Sequence, residues 1–513
     1  MDALQQDFFY WQLVHHLVIQ KGMRVIEVNP RYNEVWLEEE DDKLPKVIRV
    51  LRVDMNWSNR LKDDMQATLV KFNDLRRQLS FRKMVAENIY VSTYGPVDSW
   101  EHLFLEPLTV GQHKTVMHSY LIEADYDKKA RELKRLHLFL MNTKPIEDMF
   151  IEEIEVEIRR LRTEVLTKAE ERLHAEQSIF TYGKPVLTYF FLLAVAIMFG
   201  VLEWNGGSMR IATLIEYGAK YNPLIEAGEY WRLITAMFLH IGFIHFFMNS
   251  LALFYLGSAV EKIFGSLRFL FIYMIAGIFG SISSYAFNEQ VAAGASGAIF
   301  GCFGALLFFG VNHRKLFFRT MGMSVIVILI INISLGFLVP MIDNSAHIGG
   351  LIGGFLASFV VQLPSQNVRM RQFLFFIIVV ILGYGLFTFG MINDQKAGEP
   401  MIHLQFAQEL LEEEEYEEAY SLLLSLEERN LDLPEYYFLL GFTEVHLRNL
   451  KDAEKNFIRT VELRPEFHEA HYNLALIYVQ IDETEKAFQA VNQALIYSPE
   501  KEPYVQLKEK LKR

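Results

Sequence analysis

Gly294-Ala295-Ser296-Gly297-Ala298-Ile299-Phe300-Gly301 opens an apolar run that continues to Val311. Its reading decides the fold, because it sets a hydroxyl at the mouth of a hydrophobic helix. About fifty residues later a second apolar run carries Ala346-His347-Ile348-Gly349-Gly350. Polar and ionisable side chains inside membrane spans are costly and mark functional positions. A serine that can meet a histidine is a nucleophile with its general base. The two stretches together imply peptide-bond hydrolysis within a bilayer.

Outward from Ser296, apolar runs extend from about residue 185 to 392, with charged, soluble-looking sequence on both sides. The chain of 513 residues is 51% hydrophobic, too long for one ordinary domain. It divides into a soluble α/β domain (1–178), a polytopic all-α membrane core (179–393) and an α-helical tail (394–513). The rule of ~20 apolar residues per span predicts seven: 186–202, 243–260, 267–287, 296–311, 321–339, 346–363 and 373–392. A long, partly apolar loop, 203–230, follows the first. Short-loop charge sets the orientation. Lys262 and Arg268 follow span two, Arg314, Lys315 and Arg319 follow span four, and Arg369 and Arg371 follow span six. The loops after spans three and five carry neither Lys nor Arg. This predicts a cytoplasmic N-terminus and an extracytoplasmic tail, with Ser296 and His347 both near the outer surface.

Net charge is −13, with acidic runs such as Glu412 to Glu415 and Glu417-Glu418 in the tail. These read as a solvated helix face. No concentrated basic patch points to nucleic acid. The single cysteine, Cys302, excludes disulfides within the chain and a cysteine metal cluster; it reads as a packing residue. The first twenty residues carry Asp2, Asp7, His15 and His16 without a basic start and cleavage site, so no signal peptide is expected.

In the N-terminal domain, strands are expected at 23–28, 34–37, 47–53, 88–92 and 116–122, and a helix at 56–79. A long amphipathic helix, 145–177, leads toward the first span. A sensor, a docking module or a metal-responsive switch all fit this domain. Asp54, Asp63 and Asp64 could ligate a hard cation, but a solvated helix face is the reading favoured. In the tail, Ala419, Ala453 and Ala487 are 34 residues apart, as are Pro465 and Pro499. That period matches tetratricopeptide helix pairs, with a degenerate first repeat around 407–426. Such arrays bind peptides or protein segments.

Catalysis at Ser296 needs a base, an anion site and close helices. Gly294, Gly297, Gly301 and Gly304 thin the start of span four, and Gly349, Gly350, Gly353 and Gly354 thin span six; Gly297 with Gly301, and Gly349 with Gly353, form small-residue faces that let helices approach. His245 and Asn249 share one face of span two and could donate to an oxyanion with the Ser296 amide. His240 reads as structural. A zinc site from His240, His245 and His347 lacks the H-E-x-x-H pattern and a nearby carboxylate, so neither metal nor cofactor is expected.

These residues resemble the rhomboid intramembrane serine proteases. The resemblance rests on Glu229-Tyr230-Trp231-Arg232, His240, His245, Asn249, Gly257-Ser258-Ala259-Val260-Glu261-Lys262 and the two stretches around Ser296 and His347. It covers about residues 185–365; the seventh span and tail resemble the long bacterial GluP-like branch. The resemblance implies a dyad without a third acid: Ser296 as nucleophile, His347 as base, and His245, Asn249 and the Ser296 amide as oxyanion donors. It places Trp231-Arg232 in a lateral loop partly within the outer leaflet. Some members have a tyrosine four residues after the serine, stacked on the histidine; Phe300 stands here. Implied substrates are membrane proteins with a transmembrane helix that unwinds locally. The soluble domains would serve protein partners. A proteolytically dead adaptor that hands membrane proteins to another protease is the first rival. A transporter is the second, and the absence of deep acidic residues argues against it.

Overall fold

The computed structural model describes residues 3–512 apart from 30, 32, 40–43, 80, 124, 138–149, 340–341, 365–369, 394–399 and 427–430. Arg369 and the start of the expected helix at 145 lie outside the described residues. The chain forms two compact units, Met1–Thr181 with Gly310–Ser324, and Tyr182–Phe309 with Val325–Arg513.

The first unit is built on a mixed sheet of six strands: β1 (Arg24–Asn29), β2 (Glu34–Glu39), β3 (Lys46–Arg52), β4 (Met84–Val91), β5 (Leu108–Val110) and β6 (Thr115–Ile122). Their spatial order is β1-β2-β3-β4-β6-β5, with β3, β4 and β6 parallel. Alternation along the strands sorts two faces. Val35, Leu37, Ile48, Val50, Ile89 and Val91 share one core with α1 (Ala3–His15), and residues of α2 (Ser58–Gln78) join Trp36, Val47, Leu51, Ala86 and Tyr90 in the other. The remaining helices are α3 (Tyr126–Arg135) and α4 (Ile151–Phe180), the latter on the α1 side. The sequence pattern missed α1, α3 and the three-residue β5. In α1, Phe8, Phe9, Tyr10, Trp11, Leu13 and Val14 are all buried, so no apolar stripe stands out.

Asp64 is no solvated helix residue. It accepts two bonds from buried Arg49, at 2.7 and 3.3 Å, and one from the Tyr90 hydroxyl at 2.6 Å. Burial alone would raise its pKa; the Arg49 hydrogen bonds and charge outweigh that and hold it below the usual range. Asp54, though exposed, accepts from Gln6, Ser92 and the Thr93 amide, and Asp63 is exposed. The segment 310–324 is tied into this unit by Arg319. Its guanidinium grips the Glu38 carboxylate at 2.9 and 2.7 Å, while Arg24 bonds Glu176 at 3.0 Å beside it.

The second unit is mostly helical: α5 (Val186–Trp204), α6 (Ile211–Glu216), α7 (Asn222–Glu226), α8 (Arg232–Thr235), α9 (Gly242–Phe264), α10 (Ser266–Phe287) and α11 (Ser296–Asn312). After α12 (Arg314–Thr320) follow α13 (Gly322–Leu338), α14 (Asn344–Val361) and α15 (Met370–Ile392). By length and composition α5, α9, α10, α14 and α15 can each cross a membrane, and α12 with α13, bent by 74°, would make a sixth. The seven expected segments are all helical, but α11 has 17 residues. At 1.5 Å per residue it is ~25 Å long, short of a ~30 Å hydrocarbon core.

The tail consists of α16 (Pro400–Glu412), α17 (Tyr416–Leu424), α18 (Pro434–His446), α19 (Leu450–Leu463), α20 (His468–Gln480), α21 (Thr484–Tyr497) and α22 (Glu502–Leu511). Helices α16, α18, α20 and α22 begin 34 residues apart, and so do α17, α19 and α21. Ala419, Ala453 and Ala487 are fully buried. The first repeat, degenerate in sequence, also forms a helix pair, α16 and α17.

Candidate active site

Ser296 is the first residue of α11. The first intrahelical bond runs from the Ile299 amide to the Ala295 carbonyl at 3.0 Å. The amides of Ser296, Gly297 and Ala298 therefore precede the helix ladder and concentrate partial positive charge at its start. A half-buried hydroxyl and orphan backbone donors thus occupy one place.

The loop leading to Ser296 is fastened at several points. Lys220 and Ala292 exchange backbone bonds of 2.9 and 3.0 Å, and the Gly294 amide donates to the Ala236 carbonyl at 2.9 Å. The Ala295 amide donates to Nε2 of fully buried His240 at 3.3 Å. This is a structural role for His240. Lys220, also fully buried, donates to the carbonyls of Asn288 and Gln290 at 2.7 and 2.8 Å. Sequence reasoning passed over Lys220. The available signal was a lone lysine inside a partly apolar loop, where burial demands a partner.

Helix α14 is brought against α11 by glycine. A Cβ at Gly350 would collide with the Gly297 carbonyl, and one at Gly354 with the backbone of Gly301. One at Gly297 would lie 3.4 Å from the Ala346 carbonyl. Gly349 and Gly353 face elsewhere: their nearest neighbours are Phe279 and Ser283 of α10. The predicted pairing of the Gly349 and Gly353 face with span four is thus shifted by one residue. One turn after Ser296, the Phe300 ring stacks on the imidazole of buried His347, with centroids 4.1 Å apart and planes 10° apart. The Nδ1 atom of His347 has no hydrogen-bond partner among the described residues, so no carboxylate orients the ring through that atom.

From α9, the His245 ring lies against Gly294, where a Cβ would be 2.8 Å from Cε1 and 3.0 Å from Nε2. Asn249 is buried and donates from Nδ2 to the His245 carbonyl at 3.1 Å; the amide carries a second hydrogen. Further buried charges hold the frame. Glu261 accepts from the amides of Leu187 and Thr188 and from the hydroxyls of Thr188 and Ser266. Arg232 donates to the carbonyls of Ile215 and Ala219 and pairs with Glu229 at 2.6 Å.

The model of the Rhomboid domain matches residues 227–364. Over 482 residues the chain is 35% identical to Rhomboid protease GluP of Bacillus subtilis (strain 168), covering 92% of each protein. It is 41% identical to RHOMBOID-like protein 5 of Arabidopsis thaliana over 161 residues, covering 30% of this chain and 52% of that protein.

Proposed function

This chain belongs to the rhomboid protease family, and we propose on that footing that it is an intramembrane serine endopeptidase working through Ser296 and His347. The observation that carries the proposal is the stacking of Phe300 on His347 one turn from Ser296. It supports a pairing of α14, which would supply the base, with α11, which would supply the nucleophile.

In the proposed mechanism Ser296 Oγ attacks the scissile carbonyl while His347 accepts its proton. The carbonyl oxygen becomes an oxyanion, held by the Ser296 amide, His245 and Asn249. Each such donor is typically worth ~3–4 kcal/mol in the transition state. His347 then protonates the leaving amine, and water, activated by the same imidazole, hydrolyses the acyl-enzyme. Without a carboxylate on Nδ1, orientation of the base rests on the Phe300 stack. The substrate is a transmembrane segment that unwinds locally to present its carbonyl.

The proposed layout is a cytoplasmic domain at 1–178, a membrane core of seven spans at 179–393 and an extracytoplasmic tetratricopeptide domain at 394–513. The short α11 suits a span that begins below the membrane surface, which is where a site for intramembrane hydrolysis belongs. The tail and the N-terminal domain are proposed to receive protein partners.

A fluorophosphonate probe tests the nucleophile independently of any substrate. Treatment of the purified protein should label Ser296, located by peptide mass spectrometry, and His347→Ala should suppress the labelling. Labelling elsewhere, or none, would contradict the dyad and favour the adaptor reading.

A further inference from the structure

The first helix of the tail packs on the loops that lead to Ser296. Phe406 of α16 enters an apolar cluster with Ile211, Ile215, Tyr221, Leu224 and Val291. Its ring meets Tyr221 edge-on, with centroids 5.8 Å apart and planes at 87°. Beside it, buried Glu409 accepts from the Ala212 amide at 3.0 Å, which satisfies an orphan donor at the start of α6. Arg210 pairs with Glu413 at the edge.

Two members of that cluster, Tyr221 and Val291, belong to the segments around the nucleophile. Tyr221 follows Lys220, whose backbone pairs with Ala292. Val291 also belongs to a second apolar cluster, with Ala293 and Leu239. Ala293 precedes Gly294, and Leu239 precedes His240, the acceptor for the Ala295 amide. Packing is therefore continuous from the tail to the turn that aims the Ser296 amide.

We infer that Phe406 and Glu409 are positioning residues for the reaction: the tail braces the nucleophile loop as part of the active enzyme. The inference rests on the proposed protease function for its kinetic readout only. A peptide-binding array and the catalytic turn would then share one wall, α16, so that a protein seated on the array can reach the rate of cleavage through Phe406.

The test uses the full-length protein in detergent or vesicles. Phe406→Ala and Glu409→Ala should each lower kcat on a transmembrane substrate by about threefold to tenfold, the size of coupling carried by packed residues between sites, with KM unchanged. Glu409→Gln keeps an acceptor for the Ala212 amide and should restore most of the rate. Hydrogen exchange supplies a readout that needs no turnover: Phe406→Ala should speed exchange at Ala292 and Ala295 while the α18 to α21 amides stay protected. An unchanged kcat with unchanged exchange at Ala292 and Ala295 would overturn the inference. A raised KM at constant kcat would overturn it too, assigning the tail to substrate capture alone. Should wild type cleave nothing, the protease proposal fails, and the exchange data still decide whether the tail braces the loop.

Discussion

Two regions of this chain bring helices together with small residues, and they do it differently. In α11 and α14 the small residue is glycine and the contact is backbone on backbone: Gly350 on Gly297, Gly354 on Gly301. In the tail it is alanine, buried at 34-residue intervals among leucine, phenylalanine and tyrosine side chains. The tail sequence can use the hydrophobic effect, which rewards burying larger side chains around each alanine. Helices surrounded by lipid gain little from that term and depend on close approach. In the proposed mechanism close approach also serves chemistry, because it would set how far His347 stands from Ser296. On that proposal, the same device is a matter of stability in one region and of catalytic geometry in the other.

The sharpest way to break the comparison is one methyl group. Gly350→Ala forces the new Cβ onto the Gly297 carbonyl, which has no flexible end to yield. A displacement of ~1 Å at a reacting pair can cost 100-fold, so cleavage should fall by about that factor while the helices remain folded by circular dichroism. Next in size is Lys220→Met. It removes the donor to the Asn288 and Gln290 carbonyls, and charged hydrogen bonds are worth about 1.5–3 kcal/mol. A lower unfolding temperature and a reduced cleavage rate should appear together. In the tail, Ala453→Leu overpacks the α18–α19 contact at a cost of about 1–3 kcal/mol. Tail melting should shift, while the rate changes less than the Gly350 variant by an order of magnitude or so. The smallest effect belongs to Gly385→Ala in α15. Nothing lies within 4 Å of the added methyl, so activity and stability should be unaltered within error. A loss there equal to that at Gly350 would mean that any added bulk in these helices is harmful, and the special role of the α11–α14 contact would fall.

The same comparison explains what was legible beforehand. The tail's period could be counted, because each repeat restates its alanine and proline at a fixed distance. The β-strands of the first unit showed in their β-branched runs, whereas β4 began before the expected 88 because Met84 to Glu87 look unremarkable as a strand start. The candidate site was legible in its types: Ser296, His347, His245 and Asn249 stood out as polar groups in apolar runs. Which glycine faces which helix was not, since Gly349, Gly350, Gly353 and Gly354 are equivalent to any rule based on spacing. Only the packing separates Gly350 and Gly354, against α11, from Gly349 and Gly353, against α10. Lys220 and Phe406 were hidden for a related reason. Each acts on backbone or side chains distant in sequence, and nothing in its own neighbourhood announces the partner.

The central claim is that Ser296 and His347 form one catalytic unit. The most direct measurement is the cleavage of a model transmembrane substrate by the purified protein, comparing wild type with Ser296→Ala, His347→Ala and the double variant. The account predicts cleavage by wild type, and in all three variants a residual rate that is equally low, because residues acting as a unit lose their effect together. Cleavage that survives Ser296→Ala would contradict it.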